Sequence, residues 1–416
     1  MADTPPRGGH ADSITSQDSG PKQDEKKKSR RPANNAFRQQ RLKAWQPILT
    51  PKTVLPLFFT IGIIFAPIGG LLLYASAQVR EIKLDYTTCT TDAPRDEFKP
   101  MPDGNVFSAF KTSGNDTDWL PPRWRASDVN LTFDGVENTY NQCTLEFSIP
   151  EDMGPPVLFY YQLTNFYQNH RRYVKSFNDK QLKGDAVSSG TINGSDCTPL
   201  THDLSGSGKP IYPCGLIANS MFNDTFSNPL LLSVPVSGDS GKLDNQTYPM
   251  NNNSGIAWSS DAALYGKTKY NLSEIVPPPN WAVRFPNGYT ESNPPPDLET
   301  WEAFMVWMRT AGLPTFSKLY QRNDDKAMIA GRYQIEIVNH FPSEVFHGTK
   351  SIVISTRTVM GGRNPFLGIA YIVVGGICIV LGVVFTVTHL LKPRYVAYGI
   401  PSLFFLCFLA PFPGQC

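Results

Sequence analysis

Two long runs of uninterrupted apolar sequence dominate the hydropathy pattern of the chain. Residues 53–77 and 366–391 contain no charged residue, and at about 1.5 Å per helical residue each exceeds the roughly 30 Å hydrocarbon thickness of a bilayer. A buried core helix seldom runs so long without a charge, so both runs predict membrane-spanning helices. The first run begins more than fifty residues into the chain and lacks a small-residue cleavage site, which favours a retained signal anchor.

The segment between the two runs has the patterns of β-strands. Apolar side chains alternate with polar ones along residues 143–149 and 332–338, whereas residues 157–163 and 351–356 are continuous apolar or β-branched runs, as in buried strands. One helical pattern, with an aspartate as its N-cap and a glycine at its end, interrupts them at residues 297–312. We therefore predict a membrane protein with two transmembrane helices and a large domain between them, mainly antiparallel β with a few short helices.

Basic residues are concentrated before the first apolar run. The chain of 416 residues carries a formal net charge of only +2, yet residues 26–52 contain nine lysines and arginines and no acidic residue. By the positive-inside rule this block places the N-terminus in the cytosol, and two spans then leave the middle of the chain on the lumenal or extracellular side. Composition predicts disorder for about the first 35 residues. The predicted organisation is a cytosolic basic tail 1–52, a transmembrane helix 53–77, an ectodomain 78–365, a transmembrane helix 366–391 and a C-terminal tail 392–416.

Seven sequons for N-glycosylation lie in the predicted ectodomain, and none lies outside it. One sequon is weak evidence, because chance supplies several in a polar chain, but seven on one side of the membrane favour passage through the secretory pathway. The acceptor residues are Asn115, Asn130, Asn193, Asn223, Asn245, Asn252 and Asn271.

Four of the seven cysteines lie in the same segment, and an even number in an oxidising compartment indicates disulfides. Three connectivities are possible, and the sequence alone does not choose among them. We favour Cys89 with Cys143 and Cys197 with Cys214, because the second pair brackets a short loop rich in Ser, Gly and Pro. A zinc site would need closer ligand spacing. The other cysteines suggest no site: Cys378, Cys407 and Cys416.

The sequence contains no pattern typical of an enzyme. Residues 202–210 include a Gly-Lys pair, but proline follows where a phosphate-binding loop needs Ser or Thr. The spacing of His340, Glu344 and His347 matches no common metal-ligand signature. No nucleophile elbow surrounds a serine, and the DKTGT phosphorylation motif of P-type ATPases does not occur. We therefore expect no catalysis, no cofactor, no metal and no nucleic-acid partner.

Four long motifs follow one another along the chain: RRPANNAFRQQRLKAWQPILTPKTVLPLFF at 30–59, YYQLTNFYQNHRRY at 160–173, PCGLIANSMFND at 213–224, and the run 297–356. Their order and content resemble the ligand-effect modulator family, also named after cell-division-cycle protein fifty, over about residues 30–394. The resemblance implies a non-catalytic β-subunit of a type IV P-type ATPase, a flippase that moves phospholipids to the cytosolic leaflet. It also implies two spans, a glycosylated and disulfide-bonded ectodomain, and contact with membrane lipids.

The same resemblance implies what the subunit is for and where it resides. The ATPase would depend on it to fold, to leave the endoplasmic reticulum and to translocate lipid. The expected locations are the endoplasmic reticulum, the Golgi and endosomes, and the plasma membrane.

The motif at 160–173 combines five aromatic residues with a histidine and two arginines. We predict that residues 160–163 continue a buried strand and that residues 168–172 form its polar end. Within that end, His170, Arg171 and Arg172 fit a locally hydrogen-bonded corner. The alternative is that they face the lumenal loops of a partner, since arginine and tyrosine are frequent interface anchors.

Small residues recur along each predicted span. Gly62, Ala66 and Gly70 are spaced by four residues, whereas the second span carries glycines spaced by seven, namely Gly368, Gly375 and Gly382. Close backbone approach is a main source of helix association in lipid. Each span is therefore predicted to present one face to the other span or to the partner ATPase.

The C-terminus departs from the family pattern of a short polar tail. Twenty-two uncharged residues follow Arg394, and their apolar core at 403–410 is too short to span a bilayer. The topology of this tail is left open.

Two other classes of protein compete with the flippase subunit. A cell-surface receptor or adhesion ectodomain without a flippase partner fits the composition and topology equally well, and only the motif resemblance argues against it. A lumenal glycan-processing enzyme would require a pair of carboxylates in a cleft.

Overall fold

The computed structural model describes residues 35–37, 39–42, 50–110, 120–203, 205–235, 243–358 and 361–392. Contacts within the chain divide it into one unit of residues 58–385 and a second unit made of residues 1–57 and 386–416. The first unit holds the β-rich part of the chain and most of two long helices. The described part of the second unit includes the start of the first long helix and the end of the last one.

Two of the described helices are long and apolar enough to cross a membrane. The others are short and lie in the β-rich part, as expected. In chain order the helices are α1 (Pro51–Ala77), α2 (Cys89–Asp92), α3 (Arg171–Val174), α4 (Asp179–Leu182), α5 (Ser189–Asn193), α6 (Leu216–Asn219), α7 (Ser259–Ala262), α8 (Glu302–Met308) and α9 (Phe366–Leu391). Single 3-10 turns occupy Asp103–Asn105, Leu272–Glu274, Pro279–Trp281 and Ser343–Phe346.

Helix α1 starts two residues earlier than predicted. Pro51 occupies its first position, where the missing N–H of proline costs no hydrogen bond. The backbone N–H of Thr50 donates to the hydroxyl of Thr53 at 3.3 Å, which closes the first turn. The prediction began directly after the last charged residue, Lys52. A lysine is nevertheless tolerated at the end of a span, because its long side chain reaches the interface.

The strands of the β-rich part form two sheets in which every strand pairing is antiparallel. The strands of the described residues are β1 (Glu81–Asp85), β2 (Lys99–Pro100), β3 (Val106–Ala109), β4 (Arg123–Phe133), β5 (Val136–Ile149), β6 (Val157–Leu163), β7 (Thr225–Phe226), β8 (Leu230–Pro235), β9 (Leu243–Thr247), β10 (Phe316–Asn323), β11 (Gly331–Val338) and β12 (Lys350–Thr356). The first sheet has the order β10-β6-β12-β1-β3. The second has the order β2-β4-β5-β11-β8-β9, and β7 also pairs with β11.

The strands predicted from apolar patterns are confirmed. β6 spans the predicted residues 157–163, and β12 exceeds the predicted run by one residue. β5 is much longer than its predicted part, because it continues into a hairpin with β4. The two-residue turn of that hairpin, Asp134-Gly135, has positive φ angles of 48° and 81°, which an Asp-Gly turn accommodates and which suit the twist of the strands.

The predicted helix at residues 297–312 is much shorter in the structure. Asp297 instead forms a turn, in which its carboxylate accepts the backbone N–H of Glu299 at 3.0 Å, and α8 begins five residues later. At the other end the carbonyls of Val306, Trp307 and Arg309 accept hydrogen bonds from the Lys318 ammonium group at 2.6–2.8 Å. These carbonyls are therefore satisfied without further helical turns.

One hydrophobic cluster contains residues of both sheets. Phe147 and Ile335 from the second sheet belong to it together with Phe159 and Ile354 from the first. Burial of apolar side chains is the main stabilising contribution to the folding of such a domain. The core therefore lies between the residues of β5 and β11 and those of β6 and β12.

Two disulfides lie in the β-rich part, one within this core and one within a smaller, separate hydrophobic cluster. Cys89 of α2 is bonded to Cys143 of β5, and Cys197 is bonded to Cys214, with Cα–Cα distances of 6.0 and 5.6 Å. All four side chains are buried. These are the pairs that we favoured among the three connectivities.

One end of the first sheet is held at the end of helix α1. The backbone N–H of Thr356, the last residue of β12, donates to the carbonyl of Arg80 at 2.9 Å. Arg80 is three residues beyond Ala77, where α1 ends, so about 10 Å of chain at most separates the two residues. The opposite end of the sheet, where β6 finishes at Leu163, is the end far from the long helices.

Candidate partner-binding surfaces

The two long helices contact each other through small residues spaced by seven. A Cβ atom added to Gly69 would lie 2.7 Å from the side chain of Ile372. One added to Gly375 would lie 3.0 Å from the backbone N of Ala66. Because no side chain fits at these positions, the two backbones approach closely, as in other membrane helix pairs. The buried positions are Gly62, Gly69 and Ser76 on α1, and Gly368, Gly375 and Gly382 on α9.

The predicted small-residue face of α1 is divided: Gly62 and Ala66 lie at the contact with α9, and Gly70 does not. A Cβ atom added to Gly70 would meet no atom within 4 Å, whereas Gly69 packs against Ile372. Seven residues of helix turn through about 700°, close to two full turns, but eight turn through about 800°. Starting from Gly62, a seven-residue step therefore stays on the contact face, and an eight-residue step leaves it.

The outward surface of the helix pair is apolar. Its large exposed side chains include Ile63, Leu71, Tyr74, Val373 and Val380. Only 11% of the most apolar window of α1, and 17% of that of α9, is buried within the chain. Such a surface suits lipid chains or the helices of another membrane protein.

The strand part of the 160–173 motif fills the core. Tyr161 is buried and stacks on Phe222 with ring centroids 3.9 Å apart. The predicted polar end is wrong at its first residue, because Gln168 is fully buried. Its Oε1 atom accepts the backbone N–H of Ala311 at 2.9 Å. Tyr161 and Phe166 of the motif are thus core residues, Tyr167 is exposed, and Gln168 joins two loops beneath the surface.

The basic residues of the same motif lie on the surface. His170, Arg171 and Arg172 are exposed, and none of these three side chains has a hydrogen-bond or ion-pair partner among the described residues. The hydrogen-bonded corner that we predicted is therefore not formed by side chains of the described part of the chain. The three residues sit at the end of the first sheet far from the long helices.

A buried ion pair lies inside the β-rich part. The Lys350 ammonium group donates to the Asp224 carboxylate at 2.7 Å, and both side chains are at most 1% exposed. Asp224 also accepts the Tyr86 hydroxyl at 2.8 Å and the backbone N–H groups of His340 and Phe341 at 2.6 Å each. Burial raises the pKa of Tyr86, and the Asp224 charge raises it further. Because these four donors all bind the Asp224 carboxylate within the core, we assign the arrangement a structural role.

No metal-binding group of histidine, cysteine and carboxylate side chains occurs in the described ranges. The ring of His340 packs edge-on against Tyr140 with centroids 4.4 Å apart, and burial lowers its pKa. Glu344 and His347 are exposed on the following turn. The geometry therefore gives His340 a packing role.

The sequon asparagines within the described residues are all exposed. Exposure is what attachment of a bulky glycan requires. These residues are Asn130, Asn193, Asn223, Asn245, Asn252 and Asn271; Asn115 lies outside the described residues.

Sequence reasoning missed Gly69 and Ser76 of the helix contact. The hydroxyl of Ser76 accepts the backbone N–H of Asn364 at 3.0 Å, which joins the end of α1 to the segment before α9. The signal was present, because Gly62, Gly69 and Ser76 have the same seven-residue spacing as the glycines of α9. The four-residue spacing that includes Gly70 obscured it.

Comparisons with known proteins agree with this architecture. The sequence profile of the LEM3 (ligand-effect modulator 3) family, or CDC50 family, matches residues 72–395. The phospholipid-transporting ATPase accessory subunit CDC50 of Chaetomium thermophilum is 46% identical, over 89% of this chain and 92% of that protein. The accessory subunit CRF1 of Saccharomyces cerevisiae is 42% identical over 88% and 87%, and cell cycle control protein 50A of Mus musculus is 39% identical over 87% and 90%. With a match over most of its length, two apolar helices and an antiparallel β domain between them, the chain belongs to the LEM3/CDC50 family.

Proposed function

We propose that this chain is the non-catalytic accessory subunit of a type IV P-type ATPase that transports phospholipids. The observation that carries the proposal is the similarity, over about nine tenths of the chain, to proteins named as accessory subunits of phospholipid-transporting ATPases. In this role the chain is needed for the ATPase to fold, to leave the endoplasmic reticulum and to move lipid towards the cytosolic leaflet. Binding to the folded ATPase stabilises it by mass action and favours some of its conformations over others.

The proposed topology has a cytosolic N-terminus and a lumenal or extracellular β-rich domain. The nine basic residues before the first span support this orientation. The exposed sequon asparagines and the two buried disulfides support an oxidising, glycosylating compartment for the domain. We place the protein in the endoplasmic reticulum, the Golgi and endosomes, and the plasma membrane.

The helix pair supports a particular mode of partner binding. Its glycines already serve the contact between α1 and α9, so the partner's helices would meet the outward surface, where Gly70 and Gly376 both have open space beside them. Small residues on that surface allow another backbone to approach. The exposed residues 170–172 offer a second contact, to lumenal loops of the ATPase.

Copurification tests the proposal. We expect affinity purification of the tagged chain in a mild detergent to recover one polytopic P-type ATPase in stoichiometric amount, identified by mass spectrometry. An unrelated glycoprotein with two spans and the same tag serves as the control. Recovery of the chain alone, or of extracellular ligands in place of an ATPase, would favour the receptor class.

A further inference from the structure

A cavity of about 480 Å³ opens on the face of the first sheet that points away from the core. Along β6, Phe159 and Tyr161 face the core, so Leu158 and Tyr160 face the other way. Tyr160 and its cross-strand partner Leu319 of β10 both line the cavity. Neither residue belongs to the helix contact or to the buried ion pair.

Three hydrogen-bond donors at this cavity have no acceptor in the described part of the chain. The guanidinium group of Arg357 is exposed and has no hydrogen-bond or ion-pair partner there. The hydroxyl of Tyr160 likewise has no hydrogen-bond partner. The Nε atom of Arg322 is buried without an acceptor, although the other two nitrogens of that group bind Gly255 and Asp324. Because this nitrogen is closed to solvent, Arg322 contributes its charge to the cavity, whereas Arg357 and Tyr160 contribute donors.

The charges of Arg322 and Arg357 both act on Tyr160. Burial raises the pKa of its hydroxyl, and the two guanidinium groups oppose this rise. The hydroxyl is therefore protonated at neutral pH and available as a donor between two cations. Glu81 is the carboxylate that also acts on Tyr160, and Arg363 and Lys83 offset its charge.

The other cations that line the cavity already have partners. Arg309 is paired with Asp261 and lies over the Trp258 ring at 3.2 Å. Lys318 donates to three carbonyl groups, and burial lowers its pKa to about 7. These two side chains form a wall of the cavity. Among the described residues that line the cavity, Arg357 is the arginine that has neither a hydrogen-bond partner nor an ion-pair partner.

We propose that this cavity, the arginine cavity, binds a phosphate-type oxyanion through Arg357 and Tyr160, beside the charge of Arg322. The guanidinium group of Arg357 offers only donors, and its planar fork matches phosphate oxygens better than an ammonium group does. A cationic ligand would be repelled by the Arg357 charge, and a neutral ligand would leave that charge without a counter-ion.

Two sources of phosphate can reach this position. Arg357 directly follows Thr356, which is hydrogen-bonded to Arg80 near the end of α1. The cavity is therefore close to where a span leaves the bilayer, within reach of the phosphate of a lipid headgroup. A soluble phosphate compound of the compartment has the same chemistry.

Calorimetric titration of the purified, full-length glycoprotein in non-ionic detergent tests the site. The probes are inorganic phosphate, glycerol 3-phosphate and dihexanoyl phosphatidic acid, at ionic strength matched with chloride. We expect Arg357→Gln to weaken binding about tenfold, the loss of one charge-assisted hydrogen bond, and Tyr160→Phe to weaken it less. Arg172→Gln is the matched control, since it removes another exposed arginine charge, outside the cavity.

The outcomes separate the two sources. Tighter binding of dihexanoyl phosphatidic acid than of glycerol 3-phosphate assigns the site to a lipid headgroup, and equal affinities assign it to soluble phosphate. Absence of saturable binding of every probe, or equal losses in Arg357→Gln and Arg172→Gln, overturns the site. Arg357→Lys, expected to fall between wild type and Arg357→Gln, replaces the latter if it does not fold. The titration needs no ATPase, so its failure is distinct from failure of the proposed function.

Discussion

Asp224 and Lys350 form a buried ion pair next to an exposed sequon residue, Asn223. Replacement of Lys350 by methionine leaves the Asp224 carboxylate buried without its counter-ion, which typically costs about 3–5 kcal/mol. We expect Lys350→Met to lower the melting temperature of the purified protein and to cause its retention in the endoplasmic reticulum.

Asn223→Gln is the control for this change. It removes the adjacent acceptor residue and leaves the ion pair intact, so its melting temperature should stay near that of the wild-type protein stripped of glycans. A Lys350→Met protein that melts like the wild type would show that the pair is not stabilising.

The sequence could not reveal this pair or the Lys318 site. Both lysines lie in strands, where a polar residue is normally read as solvent-exposed. The partner of Lys350 is 126 residues away in the chain, and the acceptors of Lys318 are backbone carbonyls that no side chain identifies. By contrast, the sequon asparagines and the cysteines are recognisable from their own residue types.

At the scale of elements, α1 offers a sensitive comparison between adjacent glycines. A leucine at position 69 would collide with Ile372 and the backbone of α9, whereas one at position 70 would meet open space. We expect Gly69→Leu to lower the melting temperature of the protein in detergent and Gly70→Leu to leave it unchanged.

Copurification of the ATPase with Gly69→Leu and with Gly70→Leu is a second measurement on these variants. If the outward surface binds the ATPase helices, Gly70→Leu weakens recovery of the ATPase although the chain itself remains stable. Equal melting temperatures of the two variants would contradict the helix contact described above.

The pattern of apolar residues predicted most helices and strands, because the side chains that must be buried determine where these elements form. The continuous run of β6 and the alternating end of β5 have one compatible arrangement, with large side chains inside. The helix predicted at residues 297–312 failed because its periodic apolar residues, Phe304 and Met308 among them, are buried by tertiary contacts that a short helix satisfies equally well. The end of α8 is determined by hydrogen bonds from outside the helix, such as those that the Lys318 ammonium group donates to its carbonyl groups.

At the scale of the whole molecule, the two disulfides differ in the length of chain that they close. Cys89 and Cys143 are 54 residues apart, and Cys197 and Cys214 are 17 apart. Loop-closure arithmetic gives about 4 and about 3 kcal/mol of stabilisation, respectively. We expect Cys89→Ser to reduce exit from the endoplasmic reticulum more than Cys197→Ser does, measured as the fraction of protein that acquires glycosidase-resistant glycans. The reverse order would contradict an effect governed by loop length.

The two-span architecture followed from the sequence because a long apolar run has few alternatives to a span. The orientation that the basic block before residues 53–77 favours stays a prediction. The partner and its contact surface do not follow in the same way, because they depend on side chains whose counterparts belong to another protein.

Inward movement of a fluorescent phospholipid in cells depleted of this chain tests the central claim most directly. If the chain is an obligatory subunit, depletion traps the ATPase in the endoplasmic reticulum and abolishes the inward movement, and expression of the wild-type chain restores both. The purified chain alone should neither hydrolyse ATP nor move lipid. Unimpaired lipid movement in depleted cells that lack a second family member would contradict the account.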